Sequence, residues 1–189
     1  MNEKNLKKII EDLIDTFFYA GNVALELRSK GLIKEIKPDG TPVSNGDLEV
    51  NKIVTKKILE LTPSLPIVSE ETSHNKSTKD LSNFWLIDPI DGTYDYINNL
   101  DEFTINAGLI IENKPVAGLI YAPAKKRMFY SYGNENAFEL INGKPIKLKN
   151  INNFNKNEIK FVSYSNKVKP QIEIIHKKLN VKKYVRMKS

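Results

Sequence analysis

Five carboxylates are placed where they could act together. Glu70 and Glu71 follow the short apolar run Pro66-Ile67-Val68. Asp88 and Asp91 follow Phe84 to Ile87 inside the run Asp88-Pro89-Ile90-Asp91-Gly92-Thr93, and Asp47 begins a helical stretch. Carboxylates at the ends of buried strands repel one another and are costly to keep ionised unless a cation joins them. The chain has no cysteine and only two histidines, His74 and His176, both in polar or lysine-rich surroundings. That argues against thiolate or imidazole cages and against a Ser-His-Asp triad, and for a hard, oxygen-loving ion such as Mg2+. Pro89 restricts the backbone so that Asp88 and Asp91 can converge. Gly92 and Thr93 could then open a short helix whose free amides suit a phosphate. Two metals bridged by such carboxylates would activate a water and neutralise the leaving oxygen of a phosphoester. Each piece also has a plainer reading. Asp-x-x-Asp-Gly is a common turn, Glu-Glu a solvated loop, Asp47 a helix cap and Lys37 a surface lysine.

The elements that must position these residues follow from periodicity. Leu6, Ile9, Ile10, Leu13, Ile14, Phe17 and Phe18 recur at helical spacing through Val23 and Leu27, and Gly31 closes the helix. Two short extended pieces flank the hairpin signal Asp39-Gly40. A second helix covers Asp47 to Leu61, with Leu48, Ile53, Ile58 and Leu59 as candidate buried positions. Strands follow at Pro66–Ser69 and Phe84–Ile87. From Phe103 onward five short β-rich segments alternate with tight connections. Residues 150–157 form an asparagine-rich linker, followed by a strand (Ile159–Ser163), a helix (Pro170–Leu179) and a strand (Val181–Met187). No internal repeat is evident.

The bulk composition bounds the rest. At 189 residues, 40% hydrophobic and 28% charged, the chain can bury a sizeable core as one domain or one and a fraction. Its formal charge of +6 is spread along the sequence rather than gathered into a basic, aromatic-interleaved block, so no nucleic-acid partner is expected. The opening MNEKNLKKIIEDLIDTFF is charged and amphipathic, and no apolar run nears the roughly 20 residues of a membrane span. A cytoplasmic location is expected.

Three segments carry a resemblance: KPDGTPVSNGD (Lys37 to Asp47), VSEET (Val68 to Thr72) and WLIDPIDGT (Trp85 to Thr93). In order and spacing they resemble the signature segments of the inositol monophosphatase superfamily. The resemblance implies Mg2+ bound by Glu70, Asp88, Asp91 and the carbonyl of Ile90. It implies that Thr93 and Asp47 position the attacking water, with Glu70 also counted as catalytic. Gly92 and Thr93 would hold the substrate phosphate through their amides, with Asp91 beside it. The stretch DGTYDYINNLDEFTINAGLI, with Asp95-Tyr96, Glu102–Asn106 and Tyr121-Ala122-Pro123, is most similar to the bisphosphate-nucleotidase branch. Tyr94 departs from the basic residue common there.

The implied fold is α+β: residues 1–149 as the metal-binding portion of the layered α/β sugar-phosphatase fold, and 150–189 as the start of a second, incomplete portion. The implied function is a Mg2+-dependent phosphomonoesterase acting on a 3'(2'),5'-bisphosphate nucleotide, or alternatively on inositol or sugar phosphates. Family members continue into a region bearing a further metal-binding Asp in a Trp-Asp-x-Ala-Ala-like helix start, which this sequence lacks. A third expectation is therefore a weak or silent chain that binds metal or a partner. That partner would be a second copy or a complementing C-terminal piece.

Overall fold

The computed structural model describes residues 1–38, 40–72, 81–149, 159–163, 168–181 and 183–186. Helix α1 (Glu3–Lys30) is capped by Asn2, whose side chain accepts the Asn5 amide at 2.9 Å, and ends at Gly31 with φ 96°. Leu6, Ile10, Leu13, Phe17, Ala20, Gly21 and Ala24 recur every three or four residues and form its buried stripe. A small antiparallel pair, β1 (Lys34–Ile36) and β2 (Pro42–Ser44), leads into helix α2 (Asn45–Leu61). The expected turn residue Asp39 lies outside the described residues.

The buried stripe of α2 departs from the expected one. Ile58 is buried as anticipated, but Leu48 and Leu59 are about half exposed, and the inward positions are Gly46, Asp47, Val50, Asn51 and Val54. Two of these are polar, so ranking by apolarity rotated the helix away from its true inner face. Asp47 and Asn51 face inward because they bond to the site described below.

Strands β3 (Ile67–Ser69), β4 (Phe84–Asp91), β5 (Thr104–Ile111), β6 (Lys114–Ala122), β7 (Arg127–Tyr132), β8 (Asn136–Ile141) and β9 (Lys144–Lys147) form one sheet in that order. The first pair is parallel and the rest are antiparallel. Both helices pack on one face, α1 over β6 and β7 and α2 over β4. That face carries Trp85, Ile87, Ile105, Leu109, Leu119 and Met128, all essentially inaccessible. Period-two alternation sends Leu86, Ile120 and Phe129 to the other face. Trp85 also donates its indole N–H to Thr62 Oγ1 at 3.0 Å, which satisfies its one polar atom inside the core. Between β4 and β5 stands helix α3 (Thr93–Ile97).

The chain separates into two compact units, Met1–Leu148 and Lys149–Ser189. In the second, β10 (Lys160–Ser163) and β11 (Lys183–Arg186) are parallel, with helix α4 (Pro170–Lys178) between them in sequence. Within this unit the rings of Phe161 and His176 meet at 4.0 Å. The expected linker at 150–157 and the end of the last expected strand lie outside the described residues. Among the described residues, no helix is long and apolar enough to cross a membrane.

Candidate active site

The site is built where β3 and β4 end side by side. Ser69 pairs with Ile87, and the Glu70 amide continues the parallel ladder to the Ile87 carbonyl at 3.1 Å, so Glu70 arrives beside Asp88. Two residues of opposite strand parity, Asp88 and Asp91, would ordinarily point to opposite faces. The β4–β5 register shifts between Asp88↔Asn106 and Asp91↔Thr104, three steps on one strand against two on the other. Such a bulge fits Pro89, which has no N–H to give the ladder, and it restores both aspartates to one neighbourhood.

Electrostatics reports that proximity. Burial, then the charges of Glu70 and Asp91, and also that of Asp47, push the Asp88 carboxyl up to about 7. Asp91 is raised by burial and by Glu70, against a hydrogen bond from the Gly92 amide. Among the described residues, the buried Asp88 Oδ1 has no hydrogen-bond partner.

At the other side stands Asp47, 1% exposed at the third position of α2. Its Oδ2 accepts the Ser44 amide at 2.8 Å and the Ser44 hydroxyl at 2.6 Å, while Ser44 Oγ accepts the Gly46 amide at 3.2 Å. This reciprocal cap fixes the carboxylate. Its Oδ1 is left for Thr93 Oγ1 at 3.1 Å, and the same hydroxyl lies 2.9 Å from the Ile90 carbonyl. Burial raises the Asp47 carboxyl, and the bonds from Ser44 and Thr93 oppose the rise.

Gly92 makes the turn into α3 possible. Its φ is 90°, and a Cβ there would lie 2.8 Å from the Glu102 carbonyl, so both conformation and space demand glycine. Of the two amides expected to hold a phosphate, the Gly92 N–H is directed to the Asp91 carboxylate.

Three participants were missed: Lys37, Asn51 and Ser69. Lys37 is not a surface lysine: its side chain is 6% exposed, and Nζ lies 2.8 Å from Glu71 Oε1 and 3.2 Å from Glu70 Oε1. Burial works against its charge, yet the bonds to Glu71 and Glu70 hold its pKa above the ordinary lysine value. Glu71 is 3% exposed and Glu70 45%. The available signal was the Glu70-Glu71 doublet itself, since a second buried carboxylate requires a cation of its own. Asn51 and Ser69, joined at 2.6 Å, brace the same turn from α2.

The donor set suits a hard dication. It is all oxygen, its members raise one another's affinity for positive charge, and one buried Asp88 oxygen is unsatisfied. Among the described residues, no three acidic or histidine side chains already stand in ligating geometry. Asp88 and Asn106 also line a groove of about 640 Å³ on the sheet face away from the helices, with Leu86, Gly118, Ile120 and Phe129.

The chain is similar to known proteins in sequence and in fold. The 3'(2'),5'-bisphosphate nucleotidase CysQ of Aggregatibacter actinomycetemcomitans is 33% identical over 142 residues, covering 74% of this chain and 53% of that protein. The CysQ nucleotidase of Haemophilus influenzae is 34% identical over the same length, with the same coverage. The chain thus spans about half the length of these curated relatives. Among solved structures, the extragenic suppressor protein suhB of Bartonella henselae superposes with TM-score 0.73 at 19% identity, covering 95% of this chain and 70% of that one. An IMPase/NADP phosphatase complexed with NADP and Ca2+ superposes at 0.77 and 20%, covering 96% and 67%. An IMPase/NADP phosphatase complexed with Mg2+ and phosphate superposes at 0.75 and 20%, covering 96% and 67%. These likenesses establish the α+β fold. The pattern of the inositol monophosphatase family extends over residues 5–188, nearly the whole sequence, and the chain belongs to that family.

Proposed function

We propose that this chain carries the metal-binding and water-orienting residues of a phosphomonoesterase that releases phosphate from a 3'(2'),5'-bisphosphate nucleotide, taking adenosine 3',5'-bisphosphate to AMP. The observation that carries the reading is the Thr93–Asp47 hydrogen bond held beside Glu70, Asp88 and Asp91. Glu70, Asp88, Asp91 and the Ile90 carbonyl would hold magnesium. When bound, the ion supplies Lewis-acid stabilisation of the phosphoryl and leaving oxygens.

The residues then divide the work. Asp47, fixed by Ser44, accepts the Thr93 hydroxyl proton, which leaves a Thr93 lone pair to accept a hydrogen bond from water. The water oxygen adds to phosphorus as its proton moves to Thr93 and the Thr93 proton moves to Asp47. The bond from phosphorus to the ribose oxygen breaks, and that oxygen leaves as a hydroxyl with a proton from solvent. Asp47 later returns its proton to solvent, so the balance is one water consumed for one phosphate and one alcohol. No covalent phospho-enzyme forms. The Thr93 amide, at the head of α3, serves the substrate phosphate.

The nucleotide reading is preferred to inositol phosphate because the relatives above 30% identity carry the nucleotidase name. The decisive experiment is phosphate release from adenosine 3',5'-bisphosphate and from inositol 1-phosphate under identical Mg2+. A higher kcat/KM for the nucleotide, lost in Thr93→Ala, supports the proposal. A preference for inositol 1-phosphate replaces it with the inositol-phosphatase alternative.

A further inference from the structure

A lysine almost wholly removed from water is unusual, and Lys37 is held there by an equally buried partner. Its ammonium donates to Glu71 at 2.8 Å, and the two side chains are 6% and 3% exposed. Such a pair is neutral as a unit, and breaking it would leave an uncompensated buried charge. The backbone fixes both ends. The Lys37 amide bonds to the Thr41 carbonyl at 2.8 Å, and the Lys37 carbonyl accepts the Gly40 amide at 2.9 Å, closing the turn between β1 and β2. The Glu71 amide rests on Ser69 Oγ at 3.4 Å, and that hydroxyl is tied to Asn51 of α2.

Glu70 is placed differently. Its carboxylate is 45% exposed; it accepts from the same ammonium at 3.2 Å and shares a hydrogen bond with Asp88. Near it stand Asp88, Asp91 and Glu71, all carboxylates, whose like charge acts to swing it toward solvent. We propose that Lys37, anchored by Glu71, is a positioning residue that holds the Glu70 carboxylate over the Asp88/Asp91 end of β4, ready for a divalent cation. The proposal rests on the magnesium reading above and adds to it a buried ion pair that sets the aim of one ligand. Groups that orient metal ligands from behind commonly change affinity by about 10–100-fold when removed.

Charge and orientation can be separated because the pair is neutral. Replacing both residues, Lys37→Met with Glu71→Gln, leaves the net charge near the cation unchanged and removes only the anchor. The test is isothermal calorimetry with MgCl2 on the whole chain, alongside thermal melting without Mg2+ to show that each variant is folded. Wild type should bind, and the folded double variant should bind about 10–100-fold more weakly. Lys37→Arg, which keeps donors for both carboxylates, should retain more affinity than the double variant. A folded double variant with wild-type affinity overturns the proposal, and so does equal loss in Lys37→Arg. If the double variant does not fold, the isosteric Glu71→Gln alone decides, with unchanged affinity again overturning it. Wild type that fails to bind Mg2+ removes the magnesium reading and this proposal with it, a pattern distinct from the others.

Discussion

Thr93 Oγ1 lies 3.1 Å from Asp47 Oδ1, which joins the first residue of α3 to the first turn of α2 across 46 positions of sequence. The Ser44 cap consumes one Asp47 oxygen and thereby aims the other at Thr93. The proposed chemistry requires that hydroxyl. Thr93→Ala should lower kcat by about 10²–10⁴ while leaving the melting temperature near wild type, and Thr93→Ser should recover most of the loss. Steady-state kinetics with a phosphate-release assay check this. Unchanged kcat in Thr93→Ala would remove Thr93 from the mechanism.

Gly92 should tolerate no side chain. Gly92→Ala must accept φ near 90° and a contact of 2.8 Å with the Glu102 carbonyl. A destabilisation of about 1–3 kcal/mol is expected, read from urea unfolding midpoints at constant slope. Gly108→Ala is the control, since nothing lies within 4 Å of a Cβ at that position. It should be close to neutral.

Tyr96 and Gly46 should be coupled. The Tyr96 hydroxyl donates to the Ala24 carbonyl at 2.7 Å and lies where a Gly46 Cβ would come within 2.2 Å of it. This packs α3 against both long helices. Gly46→Ala should cost about 1–3 kcal/mol through overpacking, and Tyr96→Phe about 1 kcal/mol through the lost hydrogen bond. In the double variant the Gly46→Ala cost should shrink, because the closest clashing atom is gone. Strict additivity in a double-mutant cycle would show that the two do not share a contact.

Much of this site was legible as types and spacing. The carboxylate segments, the Gly-Thr turn into a helix and the succession of strands follow from local pattern and turn chemistry. What was not legible depended on the third dimension. The inward face of α2 was misjudged because Asp47 and Asn51 are buried for their bonds to Ser44, Thr93 and Ser69, which apolar periodicity does not register. Lys37 was passed over because nothing nearby in sequence shows that a lysine beside a turn is roofed over and matched to Glu71, 34 positions away. The bulge at Pro89 lay between these cases. Proline announced an interruption of the ladder, but only the pairing with Asn106 and Thr104 shows how it reunites Asp88 with Asp91.

The central claim is that Glu70, Asp88 and Asp91 form a site for a hard dication, and thermal unfolding in a Mg2+ titration tests it most directly. A ligand bound only by the folded state adds about 2.7 kcal/mol of stability at a hundredfold excess over its dissociation constant. For a chain of this size that raises the melting temperature by roughly 5–10 °C. Wild type should show this rise, and Asp88→Asn should lose most of it while remaining folded. A wild-type melting temperature that ignores millimolar-range Mg2+, or an equal rise in Asp88→Asn, would contradict the account.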